Sequence, residues 1–133
     1  MKMSNKILLL DDDNSHLDKL TKLFDKYSDI IKVVGRCSTI EQAVQSFLHL
    51  KEKEDEPNIL LFDVNLGLDG KQNNGGIVAA SKIIHKSSNS KNLSVLFLSD
   101  YSSEAVWDMS AEIGVNPDDI FNKSHYSFED NKN

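Results

Sequence analysis

A single cysteine, Cys37, stands among 133 residues, so no internal disulfide can form. It ends the run VVGRC, and a thiol in that setting reads as a small buried or half-buried residue, not a reactive one. Positive charge is also scarce. Fifteen Lys and Arg face 21 Asp and Glu, a net charge of −6 that argues against a nucleic-acid-binding surface. No apolar run approaches the roughly 20 residues that cross a bilayer. The start, MKMSNKILLLDDD, lacks the long apolar stretch and small-residue cleavage site of a secretory signal. The expectation is a cytoplasmic protein without direct contact to nucleic acid or membrane. What is present suits one domain: 39% hydrophobic residues can build a core, and 27% charged residues can solvate its surface.

Short apolar runs alternate with amphipathic segments. Ile7 to Leu10 reads as a buried strand. Ser15 and Asp18 form an S-x-x-D capping pattern, followed at helical spacing by Leu17, Leu20, Phe24 and Tyr27. A second strand is expected around Ile30 to Gly35. Thr39 can cap a helix that turns Ala43, Val44, Phe47 and Leu48 inward, and KEKEDEPN then reads as a solvated loop. Ile59 to Phe62 is a third strand, Asn65 to Gly75 a loop rich in Gly, Asn and Asp, and Ile77, Ala80, Ile83 and Ile84 mark a third helix. Val95 to Leu98 is a fourth strand. A helix is expected from about Ser103 to Ile113, with Gly114 as its C-cap, then a short fifth strand from Asp119 to Asn122. Strands alternating with helices imply an α/β fold, a parallel sheet covered on both faces.

Such sheets bind ligands beyond the carboxyl ends of their strands. Here those ends carry chemistry. Asp11, Asp12 and Asp13 follow the first strand, Asp63 the third, Ser99 and Asp100 the fourth, and Lys123 the fifth. Three adjacent carboxylates repel one another, by on the order of 4 kcal/mol per pair at about 4 Å and an effective dielectric of about 20. A cation among them offsets that repulsion. Magnesium takes oxygen ligands and keeps several waters, so Asp11, Asp12, Asp63 and one loop carbonyl would suffice. A hydroxyl and an ammonium beside a carboxylate and a cation suit a phosphoryl group, with the carboxylate as nucleophile.

These features, LLLDDD, PNILLFDVNL, GIVAASKI, VLFLS and FNK in that order, resemble the receiver domain of two-component response regulators over about Lys6 to Lys123. The resemblance implies a doubly wound five-stranded parallel sheet of flavodoxin-like order 2-1-3-4-5. It implies a phosphoacceptor at Asp63 and a Mg2+ site formed by Asp12, by Asp11 directly or through water, by Asp63, and by the backbone carbonyl of Asn65. Ser99 would be the switch hydroxyl and Lys123 the phosphoryl-contacting lysine. The implied partner is a histidine kinase or phosphotransfer protein. The implied role is signalling with self-dephosphorylation, not catalysis on an external substrate. Asp13 is read as a solvated loop residue or a helix N-terminal charge.

The sequence departs from that pattern in several places. The loop after Asp63, VNLGLDGKQNNGG, is long and lacks the usual proline, and Gly76 is aligned with the family's glycine ahead of the helix. Lys123 precedes Ser124 instead of proline, which favours a trans bond. Ile120 takes the place of the aromatic switch residue, so switching would use the loops or Tyr101. Residues 124–133 leave room for only the first turns of a fifth helix, which is therefore expected short or missing; apolar surface left bare would favour a homodimer. Asp100 is either a gate that repels an incoming phosphoryl group or a cap for the next helix. Two other functions compete: a pseudo-receiver that binds a partner without phosphorylation, and a haloacid-dehalogenase-type phosphatase or flavin-binding flavodoxin-like protein. The dehalogenase type wants a second acid two residues after its nucleophile, where Asn65 stands; a flavodoxin wants a hydroxyl-rich loop where the three acids stand.

Overall fold

The structure is a computed structural model that describes residues 5–64, 66, 75–88, 92–99, 111 and 120–122; for Ser99 and residues 120–122 the description stops at the backbone. Strand β1 (Asn5–Leu10) leads to helix α1 (Asn14–Asp25), β2 (Ile31–Cys37), α2 (Ile40–Glu52), β3 (Ile59–Asp63), α3 (Gly75–Lys86), β4 (Ser94–Ser99) and β5 (Ile120–Asn122). All strand pairs are parallel, in the order β2-β1-β3-β4-β5, as expected. The helix expected over 103–113 lies outside the described residues apart from Ala111, which is helical; the fifth helix and the Lys123–Ser124 bond lie wholly outside them.

Side chains alternate across a strand, and the core divides accordingly. Leu8 and Leu10 of β1, Leu60 and Phe62 of β3, and Val95 and Phe97 of β4 pack with Phe47, Ala80 and Ile83 beneath α2 and α3. Ile7, Leu9, Leu61 and Leu98 point the other way, against Leu17 and Leu20 of α1. Burial on both faces is what lets these strands be continuously apolar.

Strand β2 changes faces midway. Ile7 pairs with Val33 but Leu8 with Gly35, so one extra residue enters β2. A bulge of this kind reverses the alternation beyond it. Ile31 and Val33 therefore lie on the α1 face, whereas Cys37 joins the α2–α3 core and is 1% exposed. The strand also begins at Ile31 and runs two residues past the expected Gly35.

Three local expectations are corrected. Asp13, not Ser15, caps α1: its carboxylate accepts from the Ser15 and His16 backbone N–H groups, and Ser15 sits inside the first turn. Asp18 pairs with Arg36 at 2.6 Å instead of closing a capping box. The helix stops at Asp25, so Tyr27 falls in the following turn and is half exposed. In α2, Leu50 packs against the core, while Leu48 is only partly buried and outside it; Thr39 caps this helix as expected, accepting from the Gln42 N–H at 3.1 Å. No helix among the described residues is long and apolar enough to cross a membrane.

Candidate metal and phosphoacceptor site

The site follows from register. Leu10 lies beside Phe62, so the next residues, Asp11 and Asp63, leave adjacent strands side by side. Parallel neighbours run about 4.8 Å apart. One carboxylate oxygen from each of Asp11, Asp12 and Asp63 lies within 4.8 Å of the others. Two of these acids are buried, Asp11 at 1% and Asp63 at 3% exposure, and Asp12 is exposed. At that spacing each pair repels by about 3.5 kcal/mol at an effective dielectric near 20, less where Asp12 meets water.

The backbone holds the buried acids firmly. The Asp11 N–H donates to Cys37 O at 3.0 Å and the Val64 N–H to Leu98 O at 2.8 Å, extending both ladders one residue past the strand. The Gly76 N–H donates to Val64 O at 3.0 Å, which docks the start of α3 onto the end of β3. That docking requires glycine. A Cβ on Gly76 would run into the Asp63 carbonyl oxygen and lie 2.7 Å from its carbon and 3.0 Å from Val64 Cα. Choosing Gly76 as the helix-leading glycine therefore has a physical basis, although α3 itself starts one residue earlier.

The first turn of α1 shapes the other side. Asp11 Oδ1 accepts from the Asp13 N–H at 2.9 Å. Asp13 then turns its own side chain onto the N-terminus of α1, the helix N-terminal charge that was one of its two readings. His16, the third residue of that helix, reaches back so that its Nδ1 meets Asp11 Oδ2. Sequence reasoning overlooked His16. The signal was available in the chain: a helix capped at Asp13 puts residue 16 in the position that reaches back past the cap.

The donor set fits a small divalent cation. Two oxygens on one Mg2+ stand at most about 4.2 Å apart, twice the Mg–O distance, so carboxylates already within 4.8 Å need only small movements or a bridging water. The backbone of Ser99 ends β4 next to this rim: Asp63 pairs with Leu98, and Ser99 with Asn122 of β5. Asn65, Asp100, Tyr101 and Lys123 lie outside the described residues.

Solved structures share this architecture. The response regulator domain of Thermotoga maritima CheB superposes with a TM-score of 0.70 at 24% identity, over 92% of this chain and 81% of that one. The Mn2+-bound response regulator Rcp1 gives 0.68 at 20% identity, over 92% and 83%. The fold is that of a receiver domain. A chain of the CheX–CheY–BeF3–Mg2+ complex from Borrelia burgdorferi also matches, at 0.64 and 19% identity, over 90% and 78%. No family model matches the sequence. No curated protein matches it either.

Proposed function

We propose that this receiver fold serves as a phosphoacceptor module of a two-component phosphorelay, taking a phosphoryl group onto Asp63 from a histidine kinase or phosphotransfer protein. The observation that carries this reading is the buried Asp63 carboxylate grouped with Asp11 and Asp12 where β1 and β3 end. Asp11, Asp12 and Asp63 would hold a divalent cation such as Mg2+, with the Asn65 carbonyl as a further donor. Bound there, the cation supplies positive charge against both the carboxylates and the phosphoryl oxygens.

The residues of the chain then perform an in-line transfer. An Asp63 oxygen attacks the phosphorus of a phosphohistidine. The N–P bond breaks, its electron pair stays on the imidazole nitrogen, and an acyl phosphate forms. Burial of Asp63 restricts water at this bond. Later attack by water on phosphorus cleaves the O–P bond, releases inorganic phosphate and restores the carboxylate. Ser99, at the end of β4, is the hydroxyl assigned to turn toward the phosphoryl group, and Lys123 the ammonium assigned to contact it.

Intact mass after incubation with acetyl phosphate and Mg2+ tests the proposal. Wild type should gain one phosphoryl group, and Asp63→Asn none. A wild-type chain left unmodified by acetyl phosphate and by phosphorylated phosphotransfer proteins would support the pseudo-receiver reading. Sustained phosphate release from phosphomonoesters would support a phosphatase.

A further inference from the structure

We infer that His16 is a positioning residue of the metal centre, holding Asp11 in the rotamer from which its carboxylate serves a divalent cation. The inference rests on the metal site proposed above and extends it to a residue outside the ligand set. Asp11 is gripped from two directions. The Asp13 N–H bonds Oδ1 at 2.9 Å, and His16 Nδ1 bonds Oδ2. Both side chains of the His16–Asp11 pair are largely shielded, at 13% and 1% exposure, so water competes little for this contact.

A carboxylate that ligates a cation is ionised and only accepts hydrogen bonds. The ring nitrogen facing it must therefore donate, which places a hydrogen on Nδ1. The ring acts behind Asp11, not on the ion: among the described residues the ligand cluster consists of Asp11, Asp12 and Asp63. Its place follows from the fold, because His16 is the third residue of α1 and the cap at Asp13 aims that turn back at β1.

Hydrogen bonds to ligating side chains restrict them to the binding geometry, and their loss typically weakens metal affinity by about 10–100-fold. Mn2+ is a convenient probe, because the electron paramagnetic resonance signal of the free ion measures binding directly. His16→Leu fills similar space without a donor and should weaken Mn2+ binding by about 10–100-fold. His16→Asn, whose amide can present an N–H near the position of Nδ1, should recover most of that loss, whereas His16→Gln, with its donor displaced, should recover less. The Asn–Gln comparison decides the matter even if the Leu variant does not fold. Wild-type affinity in a folded His16→Leu, or Asn binding no tighter than Gln, would overturn the inference.

Asp12→Ala separates this result from the underlying reading. Loss of Mn2+ binding in Asp12→Ala with wild-type binding in His16→Leu removes only the role of His16. Wild-type binding in Asp12→Ala removes the metal site and the inference with it.

Discussion

Replacing Gly76 by alanine isolates the close approach that fixes Asp63. The added Cβ meets main chain at the end of β3, 2.7 Å from the Asp63 carbonyl carbon and 3.0 Å from Val64 Cα. Neither can swing aside as a flexible side chain would, and the Gly76 N–H to Val64 O bond ties the helix to the same segment. Overpacking costs typically 1–3 kcal/mol, and a main-chain clash belongs at about 3 kcal/mol or above; the better helix propensity of alanine returns at most about 1 kcal/mol. The net loss of about 2–3 kcal/mol should lower Tm by roughly 6–12 °C for a chain of this size. Gly75 provides the matched control. The three atoms nearest its Cβ would all belong to Leu66: Cβ at 2.9 Å, Cδ1 at 3.0 Å and Cγ at 3.2 Å. Rotation about χ1 can carry Cγ and Cδ1 away, but Cβ moves only with a small shift of the Leu66 main chain, so Gly75→Ala should cost about 1–2 kcal/mol, less than Gly76→Ala. Thermal unfolding of both variants without metal gives the comparison. Metal titration should show weaker binding in Gly76→Ala alone, because Asp63 moves with its carbonyl. A Gly76→Ala variant as stable as Gly75→Ala would refute the proposed docking of α3 on β3.

Asp12→Ala should abolish the rise in Tm that Mg2+ gives wild type and, by relieving repulsion with Asp11 and Asp63, should melt higher than metal-free wild type; differential scanning fluorimetry with and without Mg2+ reads both effects. Asp13→Ala removes the acceptor for the Ser15 and His16 N–H groups and should cost about 1 kcal/mol in urea unfolding. Burial pushes the Cys37 thiol up, against a hydrogen bond to Ser46 that lowers it. The folded chain thus holds that proton to higher pH than the unfolded chain, and the stability this gives is complete below the unfolded thiol pKa and lost as pH rises beyond it. The stability gap between wild type and Cys37→Ala should therefore narrow in alkali; a gap independent of pH would refute the burial argument.

The sheet was legible because its strands are short, continuous apolar runs separated by turn residues, and the carboxylates at its rim were legible because parallel strands bring their carboxyl ends together. What escaped the sequence depended on geometry finer than periodicity. Asp13 and Ser15 are comparable caps by residue type, and the length of the turn after β1 decides between them in favour of Asp13. The bulge in β2 is invisible in VVGRC, yet it decides which face receives Cys37. Tyr27 keeps the helical spacing but falls beyond the end of α1. His16 was missed for the same reason as the cap, since its reach to Asp11 depends on where the helix begins.

The central claim is that Asp63 accepts the phosphoryl group. Borohydride reduces an aspartyl phosphate to homoserine and leaves free carboxylates unchanged, so it marks the acceptor permanently. After treatment with acetyl phosphate and Mg2+, reduction and digestion, fragment masses should place homoserine at position 63 and leave Asp11 and Asp12 intact. Homoserine at Asp11 or Asp12 with Asp63 unmodified, or no homoserine in a folded, metal-loaded chain, would contradict the account.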